Sequence, residues 1–330
     1  MAVSGTISAT TFNTRRVIDQ AFRRCRLPAQ LITAEMQDYA KDILYLVLSD
    51  MANIKAPSWC VEKQIYPMYQ GDASVALDIG TVDVLNANLR TLQELEGIAT
   101  SLPNSYTVDF TSEDGGVGFV NTVGIKWSAA SVDVDFQVSD DGVLWTTLAT
   151  SEASVSAGEW TWTDIPTPIA YTYFRIASAA VILASEVFLG TSPQEIPMGV
   201  LNRDQFVAQS NKVFQGRPLT YWYQRDRVNP ILNLWPAPNA AAEHQQLIVW
   251  RHRHIMDVGT LAQEIEVPQR WLEAIVAMLA AKLALETTAV DMTIIPILDQ
   301  KALVAYSLAM SGDNSGSSTF IQPSIGAYTR

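Results

Sequence analysis

Between Asp72 and Glu186 the chain carries sixteen acidic residues against only Arg90, Lys126 and Arg175. The 330-residue chain has a net charge of −12, so the flanking segments together are close to neutral. The acidic stretch is also where short β-like runs recur: Tyr106 to Phe110, Val120 to Trp127, Val132 to Val138, Leu144 to Thr150, Glu159 to Thr163, Tyr171 to Ile176 and Glu186 to Leu189. Asp114-Gly115-Gly116 and Asp140-Asp141-Gly142 supply turns between them, since Gly adopts positive φ without a Cβ clash. Val132-Asp133-Val134-Asp135-Phe136-Gln137-Val138 alternates apolar and polar, the period of a half-buried strand. Many short strands at this spacing predict a β-sandwich or jelly roll.

The flanks have the period of helices. Val17, Ile18, Ala21, Phe22 and Cys25 fall on one face of a helix over 13–27, with Arg15, Arg16, Asp19, Arg23, Arg24 and Arg26 on the other, and Pro28 ends it. Thr33 is a good N-cap for a second helix to about Ala52. After Trp59 the texture becomes strand-like. Leu219 to Arg225, Ile231 to Trp235 and Leu247 to His252 read as three strands continuing the sheet that begins there, and Leu201 to Val207 as a short helix. Pro268 opens a helix with Trp271, Ile275, Val276, Leu279 and Leu283 inward. Pro296 opens another, with Leu298, Leu303, Val304 and Leu308 expected inward. The simplest assembly is α+β: a helical bundle with a small antiparallel sheet, made from both ends of the chain and carrying an inserted all-β jelly-roll sandwich. The expected divisions are 1–80, 81–192, 193–310 and a C-terminal arm, 311–330.

Composition narrows the function. Charged residues make up 17%, below the usual share of about 25%, and nine Trp are present, which suits a subunit with much contact surface. Met1 to Thr11 lacks the pattern of a signal peptide, and the longest apolar run, Leu272 to Leu285, is broken by Glu273 and Lys282, so no membrane association is expected. Cys25 and Cys60 make no disulfide framework. A specific nucleic-acid binder would show a basic excess, and only the first helix has one.

Chemistry-bearing patterns are sparse. His252 and His254 would share one strand face, where a zinc pair can begin, but Arg251 and Arg253 interleave them and exposed strand histidines are the simpler reading. Asp133, Asp135, Asp140 and Asp141 offer oxygen ligands for calcium, against a solvated acidic face. Asp114-Gly115-Gly116-Val117-Gly118 lacks the spacing of a phosphate loop. No cofactor and no catalytic residue are expected, and the carboxylate pair of a glycan-cleaving enzyme is the weakest alternative. Arg15, Arg16 and Arg23 are candidates for contact with DNA or an acidic partner, or form the polar face of their helix. Trp160 and Trp162 alternate onto one strand face, available either for stacking on a sugar or for packing.

Gly216-Arg217-Pro218-Leu219-Thr220-Tyr221-Trp222, Leu232-Asn233-Leu234-Trp235-Pro236-Ala237-Pro238, Val249-Trp250-Arg251 and Glu264-Ile265-Glu266-Val267-Pro268-Gln269-Arg270-Trp271 follow one another in an order that resembles the head-to-tail adaptor proteins of short-tailed and related phages. The helical pair Arg15 to Arg26 and Thr33 to Ala52 is similar to theirs as well. The resemblance covers roughly 12–80 and 193–330. It implies a virion protein made in the host bacterial cytoplasm and assembled as a ring of about twelve copies under the portal protein. A downstream tail or nozzle protein would follow, and phage DNA would pass through with transient, non-specific contact. It also implies a C-terminal arm that embraces the portal, which makes Phe320, Ile321, Tyr328 and Arg330 the candidate contacts. Within the insert, Ser139-Asp140-Asp141-Gly142-Val143-Leu144-Trp145 and Tyr171-Thr172-Tyr173-Phe174-Arg175-Ile176 resemble discoidin-like, galactose-binding-type jelly rolls, in which such a hairpin is a structural turn. The alternative is a carbohydrate-binding virion decoration or adhesion protein acting through this sandwich.

Overall fold

A computed structural model of the chain describes residues 12–54, 58–112, 115–152, 154–226 and 228–313. Phe320, Ile321, Tyr328 and Arg330 lie outside them. Among the described residues the α-helices are α1 Thr14–Arg24, α2 Ala34–Ile54, the short α3 Arg203–Val207, α4 Gln269–Glu286 and α5 Ile295–Gly312. The chain forms two compact units, Met1–Val61 with Arg253–Arg330, and Glu62–His252.

In the first unit, helices from both ends of the chain share one core. Asn13 starts α1, its side chain accepting from the Arg16 amide at 2.9 Å, and Val17, Ile18, Ala21 and Phe22 are buried as expected. Thr33 caps α2, accepting from the Met36 amide at 3.2 Å. α4 is apolar nearly all round, the composition of a helix surrounded by protein. Its Trp271, Ile275, Leu279 and Leu283 are buried, and the Trp271 ring meets Trp59 and Tyr306 edge-on at 5.3 and 5.7 Å. Cys25, whose thiol donates to the Ala280 carbonyl, and Cys60 are both buried thiols outside any disulfide; burial pushes the Cys25 pKa up to about 11.

α5 departs from expectation. Leu298 faces inward, but Leu303, Val304 and Leu308 are 72%, 52% and 66% exposed, and the small side chains of Ala302 and Ala309 are buried instead. Two helix backbones approach more closely over alanine than over leucine, and α5 packs on α4 along this small-residue stripe.

The second unit holds the strands. In chain order they are β1 Val61–Pro67, β2 Ser74–Ala76, β3 Thr81–Glu94, β4 Ile98–Leu102, β5 Ser105–Asp109, β6 Gly118–Phe119, β7 Thr122–Trp127, β8 Val134–Ser139, β9 Thr146–Ser151 and β10 Trp160–Asp164. There follow β11 Ala170–Tyr171, β12 Tyr173–Ala177, β13 Ala184–Pro197, β14 Gly199–Val200, β15 Gln215–Gly216, β16 Thr220–Gln224, β17 Ile231–Trp235, β18 Ala237–Pro238 and β19 Gln245–Arg253. A six-stranded sheet, β1-β19-β3-β13-β7-β10, faces a five-stranded sheet, β4-β5-β12-β8-β9. Between them lies an apolar core that includes Val108, Ile125, Trp127, Phe136 and Phe174. The chain is therefore α+β with mostly antiparallel sheets and a β-sandwich.

The three strands expected to share one sheet do not. β16 and β17 pair with each other in a separate four-stranded sheet with β14 and β2, whereas β19 lies between β1 and β3. The latter sheet reaches both places because β3 and β13 run 14 residues each. Leu95 and Leu189, at their sandwich ends, pack with the sandwich core. Ala87, Leu89 and Met198, at the other ends, pack in a second core with Tyr221, Leu234 and Leu247. A register shift between Thr191 and Gln194, where Ser192 takes φ 50°, bends β13 between the two.

Arg90, in the middle of β3, has a side chain only 5% exposed. It donates to Asp164 at 2.8 Å and to Glu195 at 2.6 Å, and Lys63 reaches the same Asp164 at 2.7 Å. Burial pushes the Asp164 carboxyl up, but the bonds from Lys63 and Arg90 outweigh it and hold the pKa below its ordinary value. A depressed carboxylate stabilises the fold fully above its unfolded pKa and loses that contribution as the pH falls through the folded one. The melting temperature should therefore drop below about pH 4. Thermal melts followed by circular dichroism check this, and Asp164→Asn should melt lower at neutral pH with a flatter acid slope.

Candidate functional surfaces

Two surfaces, one in each unit, stand out by what they leave exposed. On the open side of the five-stranded sheet, β12 places Tyr173 and Arg175 two residues apart on one face, with Gln137 of β8 directly opposite Arg175. Arg175 Nε and Nη2 donate to Gln137 Oε1 at 3.0 and 2.5 Å, and its guanidinium lies 4.0 Å from the centre of the Trp145 ring. Partial burial lowers the Arg175 pKa. Trp145 is held by the turn before it. Asp141 accepts from the amides of Leu144 and Val143, both at 2.8 Å, and from the Ser139 hydroxyl at 3.0 Å, and these bonds hold its carboxyl below the usual range. The carboxylate oxygen that would ligate calcium is thus spent on the turn. What remains is a flat patch of indole, guanidinium, amide and phenol on a rigid sheet. Such a patch presents both stacking faces and hydrogen-bonding groups to a polar, planar ligand.

The second surface belongs to the helical unit. A groove of about 640 Å³ runs between α1, α4 and α5, floored by Ala277, Leu298 and Ala305 and edged by Val304, Leu308 and Lys301. Arg24 and Glu273 pair across its wall at 2.5 Å.

No family model matches the chain, and no curated protein matches it. Among solved structures it is similar to a CBM32 module of a family 31 glycoside hydrolase from Clostridium perfringens, at 12% identity over 42% of this chain and 98% of that one, with a TM-score of 0.22. A chitosan-binding module from Paenibacillus sp. IK-5 matches at 16% identity over 38% and 95%, with a TM-score of 0.20. The C-terminal domain of a chitobiase from Bacteroides fragilis matches at 9% over 40% and 99%, with a TM-score of 0.22.

The residues singled out from sequence are distributed unevenly over these surfaces. Arg15, Arg16 and Arg23 are exposed on α1, and Arg16 lies over the Phe12 ring at 4.6 Å. Trp160 and Trp162 sit on the outer side of the six-stranded sheet, away from the flat patch. Trp160 is 1% exposed, so it has no face to offer a sugar. Its ring stacks on Trp162 at 5.0 Å and meets the edge of His244 at 5.8 Å, and His244 also stacks on Phe188 at 5.2 Å. Residues 240–244 cover this side of the sheet, fastened by Lys126 to Glu243 and His244 to Glu186, each at 2.7 Å. The tryptophans are packing for that cover. His252, expected to be exposed, is 3% exposed, and among the described residues no group of His, Cys, Asp or Glu is arranged to hold a metal. Among them, too, no helix is long and apolar enough to cross a membrane.

Gly124 permits this packing. A Cβ there would stand 2.3 to 2.7 Å from the Trp162 ring. Gly124→Ala should shift the tryptophan fluorescence and cost about 1–3 kcal/mol, as overpacking does; denaturant titration read by fluorescence checks both.

Proposed function

We propose that this chain is a non-catalytic structural subunit of a virion, a head-to-tail adaptor assembled as a ring beneath a portal, whose sandwich is a binding module on that ring. The supporting observation is α5. A helix that turns Leu303, Val304 and Leu308 outward beside a groove leaves apolar surface that an isolated soluble protein would ordinarily cover. The order of motifs in 12–80 and 193–330 supports the same reading. Copies would bury this surface against one another, and DNA would pass through without being gripped. The test is electron microscopy of the purified full chain mixed with the portal protein of its phage. Rings on the portal are expected; two proteins that remain separate would overturn the assignment.

A second reading, a carbohydrate-binding adhesion module, is favoured by the flat patch of Tyr173, Arg175, Gln137 and Trp145. Binding of the full chain to a glycan array, abolished by Arg175→Ala and Tyr173→Ala together, is its expected signature. A blank array would remove it.

A further inference from the structure

The helical unit carries a second exposed stripe, different in kind from that of α5. On α2, Glu35, Tyr39, Asp42 and Leu46 fall at i, i+4, i+7 and i+11, with Asp38 and Tyr45 beside them, and all six are exposed. On α5, Ile297, Lys301, Val304 and Leu308 fall at the same spacing and are likewise exposed. Each stripe spans about 16 Å of helix at about 1.5 Å per residue. The two helices pack on α4, and each turns its stripe away from the shared core. They are complementary in charge. Glu35, Asp38 and Asp42 make no ion pair among the described residues, and neither does Lys301 at the edge of the apolar groove that Arg24 also lines.

We infer that the α5 stripe of one copy docks on the α2 stripe of the next, with Val304 and Leu308 against Tyr45 and Leu46, and Lys301 facing the carboxylates of α2. The inference rests on the adaptor reading for its biological setting, but the contact itself does not. Two unlike patches on one chain make a heterologous interface: each copy keeps one free patch, so association continues past the dimer, into a ring where the rotation between copies closes and into an open filament where it does not. A patch that paired with itself would stop at a dimer. The acidic α2 stripe disfavours that pairing because like charges would meet.

The experiment uses the full chain and two exposed double variants, Val304→Asp with Leu308→Asp, and Tyr45→Asp with Leu46→Asp, each checked for unchanged circular dichroism. Analytical ultracentrifugation at the highest tolerated concentration should find wild-type oligomers larger than a dimer and monomers of each variant alone. An equimolar mixture should give one-to-one dimers and nothing larger, since each partner retains one competent patch. Lys301→Glu should weaken wild-type association about two- to five-fold, the size of an exposed ion pair. Dimers of either variant alone, a mixture that stays monomeric, or a monomeric wild type would overturn the inference. If the mixture dimerises while the wild type builds open filaments or ignores the portal, the interface stands and the adaptor reading fails.

Discussion

Arg90→Met should lower the stability of the β-rich unit by about 3 kcal/mol, the low end for removing one partner of a buried pair. The low end applies because Asp164 and Glu195 keep roughly a third of their side chains in water, whereas Arg90 keeps almost none. Methionine preserves much of the apolar stem, so the loss reports the charge. Both carboxylates would lose the Arg90 cation, Asp164 retaining Lys63 and the Thr122 hydroxyl. Adding Asp164→Asn and Glu195→Gln to the same chain should recover a large part of the loss, because the uncompensated charges then disappear. Urea denaturation followed by circular dichroism measures all three. Equal stability of Arg90→Met and wild type would show the network to be energetically idle.

Trp271→Ala should be the larger effect, about 3–5 kcal/mol, and confined to the helical unit. The side chain is 2% exposed and fills the space between Trp59 and Tyr306. Trp271→Phe should cost much less than the lost volume implies. The buried indole nitrogen has no hydrogen-bond partner among the described residues, so removing it also removes an unsatisfied donor. Thermal unfolding should show the helical transition moving while that of the β-rich unit stays in place. A change in the latter would mean the two units do not unfold independently.

What the sequence made legible was whatever a local period records. Val17, Ile18, Ala21 and Phe22 mark one face of α1, and Val134, Phe136 and Val138 mark the inner side of β8; all seven are buried. α5 was misread because period alone cannot rank faces when every face holds apolar residues. Leu303 and Ala302 are neighbours, and the close approach of α4 selects the alanine. For Trp160 the choice between stacking on a sugar and packing stayed open in the sequence for another reason. Its cover comes from residues 240–244, some eighty positions away, and alternation along a strand says nothing about what lies above it. The flat patch was half visible: Trp145 and Arg175 belonged to motifs noted in advance, but their stacking depends on β8 and β12 being neighbours. The α2 stripe was present in the pattern from Glu35 to Leu46 and acquired meaning only beside the outward side of α5.

The shared strands β3 and β13 have a mechanical consequence. A module tethered by a peptide linker swings freely and transmits almost no pull. Here the sandwich is joined to the neighbouring small sheet by two antiparallel strands of 14 residues, paired with each other from Glu94 and Gly190 to Asn88 and Pro197. A load on the sandwich would run along both backbones side by side, and the bonds between them would keep the pair from slackening. Pulled in an optical trap, the β-rich unit should rupture in one step, without the sandwich first slackening on a leash.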